Sequence, residues 1–271
     1  MLTEKHGFLN RNALKYLVTA LMLLDHVVYA FVPAALPIRF ILRIPTRIVA
    51  PTMAYFLAEG YLHTRSVRAY ALRLLLFALL SWSPFCFLAS GGWLPVGVFA
   101  GNVSVNAPHI YLPLLNCTLA VRELSVIFTL FLGLLAILLW DRAKLHPVFK
   151  VLLTAVILLV SSHADWGGVL VLLCLCFWRF RDAPAKLWTG FVLLVLLDTA
   201  GIGFSVRAFP SCFSIHPNLF SLGMLLTVPL LTLCYNGEPG SRKPFHKWFF
   251  YVFYPAHLLI LDALLLLLHR R

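Results

Sequence analysis

The sequence predicts an all-α, polytopic integral membrane protein of about nine transmembrane helices, within a range of eight to ten. Three observations lead there. Of 271 residues, 61% are hydrophobic and only 12% are charged, whereas globular chains carry about a quarter charged residues; the mean hydropathy is +0.90. Apolar runs recur at lengths close to the roughly 20 residues that cross a bilayer. Basic residues gather in small groups between alternate runs, as the positive-inside rule requires. Short loops leave no room for a soluble module, so residues 1–271 are expected to form a single integral membrane domain.

Run length and the Gly and Pro breakers between runs set the elements in order. The first helix, near 13–34, carries Asp25 and His26 close to its centre and lacks a small-residue cleavage site, so it is expected to persist rather than to be removed as a signal peptide. Helices follow near 47–62 and 69–89. The next segment, from Gly91 to Arg122, is rich in Gly, Pro, Asn and aromatics, and reads either as a long external loop or as a re-entrant piece lining a cavity. Further helices are expected near 124–140, 148–163, 166–180, 187–203, 218–235 and 247–268.

Charge orients these helices. Arg65, Arg68 and Arg73 follow the second helix, Arg142, Lys144 and Lys150 the fourth, Arg179, Arg181 and Lys186 the sixth, and Arg242, Lys243 and Lys247 the eighth. Together with Lys5, Arg11 and Lys15 they place the N-terminus in the cytoplasm, and nine helices then put the C-terminus outside. The net charge of +12 is explained by topology, without a nucleic-acid partner. Two groups break the rule. Arg270 and Arg271 can snorkel at an interface, but Arg39, Arg43 and Arg47 lie in an outer loop beside an apolar span, which suits either a buried anion site or lipid-headgroup anchoring. Arg43 and Arg47 share a face if the second helix starts early. The tryptophans Trp93, Trp140, Trp166, Trp178, Trp188 and Trp248 mark helix ends as an aromatic belt would.

The six cysteines show no metal-ligand spacing, so packing is the expected role and no metal is expected. Cys117 and Cys212 fall in loops on one side and are candidates to pair.

Asp25, Glu59, Asp198 and Asp262 lie inside spans, where an ionised carboxylate costs on the order of 2.5–3.5 kcal/mol. Such residues need partners or a polar cavity. Asp262, near a helix end, is expected to reach water, and Asp198 has no evident role. Asp165, in ADWGG, is placed to cap a helix N-terminus. Lys15 and His26 are eleven residues apart, about three turns, and so share one stripe roughly 16 Å apart. A long ligand can bridge them, with a phosphate at Lys15 and a reactive carbonyl at His26, whose pKa suits proton transfer. The same pair also reads as an interfacial anchor and a buried neutral histidine. Asp25 points about 100° away from His26, toward Arg43 or Arg47 rather than toward the imidazole. His257 follows Tyr254 and Pro255 in the last helix, where the proline bends the helix and frees a carbonyl. His63, His109, His146, His163, His216, His246 and His269 fall in loops or at interfaces and are assigned no chemistry.

The stretches LLDHVVYAF, RIPTRIVAPTMAYFLAEGYLHTRSVRAYALRL, FALLSWSPF, IFTLFLGL, ADWGGVL, YNGEPG and FFYVFYPAHLLIL resemble the TraX family of conjugal-transfer membrane proteins, in family order and over nearly the whole chain. The Lys15-x10-His26 spacing resembles the first-helix motif of the acyltransferase-3 superfamily. The resemblance implies an acyltransferase-like domain that uses acetyl-CoA as acyl donor and modifies a pilin subunit or a surface glycan at the bacterial cytoplasmic membrane, among membrane lipids. It implies His26 as the catalytic histidine, with Asp25, Glu59, Arg43 and Arg47 around it. It further implies Lys15, Arg65, Arg68 and Arg73 as ligands of the CoA phosphates, with Tyr70 in the same segment. Tyr254, His257 and Asp165 become possible members of the site. The chain departs from the family in having Glu123-Leu124-Ser125 where family members favour Asn before the FTL-like motif, so no role is assigned there. Two other function classes remain open from the residues: a proton-coupled transporter with Asp25, His26, Glu59 and Asp198 as relay, and a non-catalytic membrane component of a conjugation or secretion apparatus whose buried charges pair internally.

Overall fold

A computed structural model describes residues 7–33, 35–91, 93–100, 109–121, 123–201, 219–241 and 243–269. Helix α1 (Arg11–Phe31) starts at Asn10, whose side chain accepts the Ala13 amide and so satisfies one of the unpaired donors of the first turn. The second predicted helix is preceded by an extra element: α2 (Pro37–Arg43) and a 3-10 turn (Pro45–Ile48) lead into α3 (Val49–His63). Ser66 caps α4 (Val67–Ser90), which stops at Gly91 in the left-handed region, φ 71°. Helices α5 (Val126–Arg142), α6 (Pro147–Ser161), α7 (Gly167–Arg179) and α8 (Pro184–Thr199) follow, two of them opening on a proline that needs no amide partner in the first turn. The eighth predicted segment, α9 (Leu219–Cys234), is not regular: a 3-10 stretch gives way to one α turn and then a π turn. Helix α10 (Pro244–His269) closes the chain.

The segment between α4 and α5, expected as a long external loop or a re-entrant piece, carries strands among its described residues. Its described residues make a three-stranded antiparallel sheet of β1 (Val96–Ala100), β2 (His109–Leu112) and β3 (Cys117–Val121), in the order β1-β3-β2. Val96 faces Val121 and Phe99 faces Thr118 across the first pair. The β-branched residues favour this pairing, which periodicity overlooks because the strands are short and interrupted by turn residues. The Cys117–Cys212 pairing lies outside the described residues, because Cys212 does.

Helices α3, α5 and α7 form the interior, and α1, α4, α8 and α10 pack around them. The approach of α5 to α7 depends on Gly133, where a Cβ would stand 2.7 Å from Cys174 Sγ. Outward faces are apolar too: Val148, Leu152 and Val156 of α6, Leu72 and Leu76 of α4, and Leu259 of α10 are all exposed. Such continuous apolar exterior is what lipid, not water, covers. Among the described residues three helices, Arg11–Phe31, Val67–Ser90 and Pro244–Leu268, are long and apolar enough to cross a membrane. The chain is a membrane protein built almost entirely of helix.

The helix ends sort into two sets. The start of α1 and the end of α3 meet through Arg11 and Glu59, and the ends of α3 and α5 through Tyr61 and Arg142. At the opposite end lie His26, α2, the start of α3, the turn before α7 and the start of α9, held by the contacts described next.

Candidate functional site

His26 is buried on the inner face of α1, and its Nδ1 stands 2.9 Å from Nε2 of His257 on α10. The two rings are tilted 39° with centroids 5.0 Å apart, and Tyr254 edges the His26 ring at 6.2 Å. His257 Nδ1 in turn stands 2.9 Å from the Phe253 carbonyl, one helical turn back. The carbonyl that Pro255 leaves without its helical donor is that of Tyr251, so His257 uses a different carbonyl from the one the proline frees.

Asp25, one residue away on α1, faces the arginines as its helical offset predicts. Its carboxylate accepts from Arg43 Nε at 2.8 Å and Nη2 at 3.2 Å, from Arg47 Nη2 at 2.7 Å, and from the Thr46 hydroxyl at 2.6 Å. The Arg47 guanidinium stacks 4.6 Å from the Trp166 ring, and both guanidinium groups lie 5.3 Å from the Phe220 ring. Both arginines and Asp25 act electrostatically on His26. The outer-loop arginines are therefore neither a lipid anchor nor a free anion site in their main contacts. Arg43 and Arg47 are mostly buried and compensated by Asp25, while Arg39 stays near the surface on the Tyr29 carbonyl at 3.2 Å.

The turn before α7 completes this end. The Asp165 amide donates to the Leu124 carbonyl at 2.8 Å, and the Thr129 hydroxyl donates to the Asp165 carbonyl at 2.7 Å, which fixes the turn beside the start of α5. Asp165 does not occupy the cap position expected of it: Trp166 takes that position with φ 66°, and its own side chain makes no cap hydrogen bond. Burial pushes the Asp165 carboxyl up to about 6, against the opposing pull of Arg47. Trp166, at the start of α7, stacks with Arg47.

A second cluster sits at the other end of α1. A cavity of about 500 Å³ is lined by Arg11, Lys15, Tyr70, Arg73, Lys243 and His246, with apolar residues of α3, α5 and α10 behind them. Lys15 Nζ lies over the rings of Phe56 and Phe250 at 5.3 and 5.5 Å. Gly60 admits the Tyr70 ring, whose hydroxyl would stand 3.2 Å from a Cβ there. The Nε atoms of Arg11 and Arg73 are buried without a hydrogen-bond partner. A basic concave site of this kind suits an anionic ligand with an apolar portion.

Glu59 belongs to this end and not to the histidine pair. It accepts from Arg11 Nη2 at 2.6 Å, with the Tyr235 hydroxyl 3.5 Å away. Arg11 precedes His26 by fifteen residues, roughly 22 Å of helix, so the grouping of Glu59 with His26 does not hold. Of the four expected phosphate ligands, Lys15 and Arg73 line the cavity, whereas Arg65 and Arg68 are exposed and outside its lining. Asp198 has a partner in the Ser221 hydroxyl of α9. Asp262 does not reach water: it is fully buried and neither carboxylate oxygen has a hydrogen-bond partner. Helix α10 runs on to His269 and packs along α4, which leaves Asp262 about two turns from the helix end. Sequence reasoning missed Arg11, His63, Lys243 and His246 in the cavity. Arg11 was detectable, because it lies four residues from Lys15 on one helix face. The others come from distant elements. Among the described residues no group of His, Cys, Asp and Glu suits a metal ion.

A family model described as TraX protein matches residues 10–265. The probable fimbrial assembly protein FimC, serogroup H1, of Dichelobacter nodosus is 27% identical over 252 residues, which cover 92% of this chain and 92% of that protein. No solved structure matches the fold.

Proposed function

The chain belongs to the TraX family, and from that membership we propose that it is a polytopic acyltransferase of the bacterial cytoplasmic membrane. It takes acetyl-CoA as acyl donor and acetylates a pilin subunit or another exported acceptor. The relative named for fimbrial assembly supports a pilus-related acceptor. The observation that carries the reading is the pairing of one helix stripe with two chemistries: Lys15 in a basic cavity and His26 buried about 16 Å deeper.

Lys15, Arg73, Arg11 and Lys243 hold the donor phosphates, and the thioester end extends along α1 toward His26. His26 accepts a proton from the acceptor amine or hydroxyl as its nitrogen or oxygen attacks the thioester carbonyl. The C–S bond breaks, the new amide or ester forms, and the departing thiolate takes the proton back from His26. Arg43 or Arg47, held by Asp25, offers positive charge to the oxyanion. In this reading the basic cavity and the N-terminus face the cytoplasm, which the positive-inside rule supports.

The test is transfer of radiolabelled acetyl groups from acetyl-CoA to pilin in membranes carrying the protein. Labelling is expected with the unaltered chain and is lost in a His26→Ala variant that still inserts and folds; equal labelling by both overturns the reading. A non-catalytic assembly component is the second reading, favoured by the internal pairing of Asp25 with two arginines and of Glu59 with Arg11. It requires pilus assembly to persist in the His26→Ala variant.

A further inference from the structure

His257 lies 231 residues from His26 in sequence, yet the two imidazoles share a hydrogen bond. Each neutral imidazole has one N–H and one bare nitrogen, and the hydrogen bond made by one nitrogen settles the state of the other. The Phe253 carbonyl can only accept. Its 2.9 Å partner, His257 Nδ1, must therefore carry a proton and donate it. Neutral His257 then has a bare Nε2, which can only accept. The 2.9 Å contact to His26 is consequently made by an N–H on His26 Nδ1. Neutral His26 is left with Nε2 as its bare, proton-accepting atom. Neutrality follows from the surroundings: His257 is buried, its ring stacks on Phe253 at 5.1 Å, and the nearest carboxylate of α1, Asp25, is committed to Arg43, Arg47 and Thr46.

We propose that His257 is a positioning residue that locks His26 in the Nδ1–H tautomer and so makes Nε2 of His26 the atom that receives the acceptor's proton. The role at Nε2 rests on the acyltransferase reading; the tautomer does not. When His26 takes up a proton at Nε2, its Nδ1–H remains bonded to His257 Nε2, and the positive charge is shared toward a ring whose far N–H already meets a carbonyl. His257 thereby does with a neutral ring what a carboxylate does in other histidine-based sites: it holds the base in one orientation and one tautomer. A membrane-buried site gains from this choice, since a neutral partner carries no solvation cost of its own charge.

The test uses the full chain in lipid nanodiscs, with 15N-labelled histidine and His26 resonances assigned by comparison with His26→Gln. In the unaltered protein His26 is expected to be protonated at Nδ1 and bare at Nε2, with a 15N–15N coupling across the hydrogen bond to His257 Nε2. A coupling between a protonated Nδ1 and a bare Nε2 of two histidines identifies this pair by itself, since it is the one histidine–histidine hydrogen bond among the described residues, so it decides the matter even if variants, His26→Gln included, fail to fold. His257→Leu, which removes the acceptor, is expected to lose the single-tautomer pattern. His257→Gln, whose side-chain oxygen can accept from His26 Nδ1–H, is expected to keep it. In acetyl transfer, His257→Leu is expected to lower kcat by about 10²-fold or more with the KM for acetyl-CoA little changed, and His257→Gln to recover most of the loss. A His26 protonated at Nε2 in the unaltered protein, or a tautomer unmoved by His257→Leu, overturns the proposal. A protein that shows the expected tautomer and transfers no acetyl group refutes the acyltransferase reading while the tautomer assignment stands.

Discussion

Asp25 and Arg47 meet at 2.7 Å, and the same carboxylate also holds Arg43 at 2.8 Å. One acid thus compensates two guanidinium groups at the end of the bundle opposite the basic cavity. Asp25→Ala leaves both buried arginines without their hydrogen-bonded carboxylate, and breaking a buried pair of this kind costs about 3–5 kcal/mol. Arg43→Ala or Arg47→Ala leaves one arginine still paired and should cost less. Thermal unfolding in detergent is expected to rank Asp25→Ala as the most damaging of the three.

Lys15 and Arg73 point into the same cavity from α1 and α4. Removing either loses a charge-assisted hydrogen bond to an anionic ligand, which corresponds to roughly a tenfold to hundredfold weaker binding of acetyl-CoA. Arg68→Ala, outside the cavity lining, should change binding little. Calorimetric titration at two salt concentrations checks both statements, and higher salt should narrow the difference.

Glu59 stands with Arg11, about 22 Å of helix from His26. Glu59→Gln is therefore expected to raise the KM for acetyl-CoA, because Arg11 loses its orienting partner, and to leave the pH dependence of kcat unshifted. A shifted kcat profile would put Glu59 back beside the histidines.

Gly133 lets α5 approach Cys174 of α7, where an added Cβ would stand at 2.7 Å. Gly133→Val should destabilise the protein by about 1–3 kcal/mol through overpacking. Cys174→Ala in the same chain removes the clashing sulfur and should return much of that loss, so the two substitutions are expected to be non-additive in a double-mutant cycle.

Gly223 of α9 packs on the Ile44 carbonyl and on the Arg47 side chain, whose Cβ would stand 2.9 Å from a Cβ at that position. Gly223→Ala displaces Arg47 without touching His26. Acetyl transfer is expected to fall by up to about 10²-fold, as for other misplacements near 1 Å, together with a lowered melting temperature, because the added Cβ would also clash with the Ile44 backbone carbonyl.

The sequence determined what depends on local periodicity. Apolar run lengths gave the membrane class and the approximate helix positions, and the 3.6-residue repeat put Lys15 and His26 on one stripe and turned Asp25 toward the arginines. Those relations lie within one helix, or between a helix and the loop next to it, so spacing alone carries them. Tertiary structure decided which helices meet. Glu59 and Asp25 look alike in sequence, each a lone acid in an apolar run, but antiparallel packing sends one to Arg11 and the other to Arg43 and Arg47 at the opposite end. Asp262 is sealed because α10 continues past it against α4, which run length near a chain end does not reveal. The contact between His26 and His257 joins the first helix to the last, and no periodicity within either contains it, because interhelical register is set by how side chains interlock across the whole bundle.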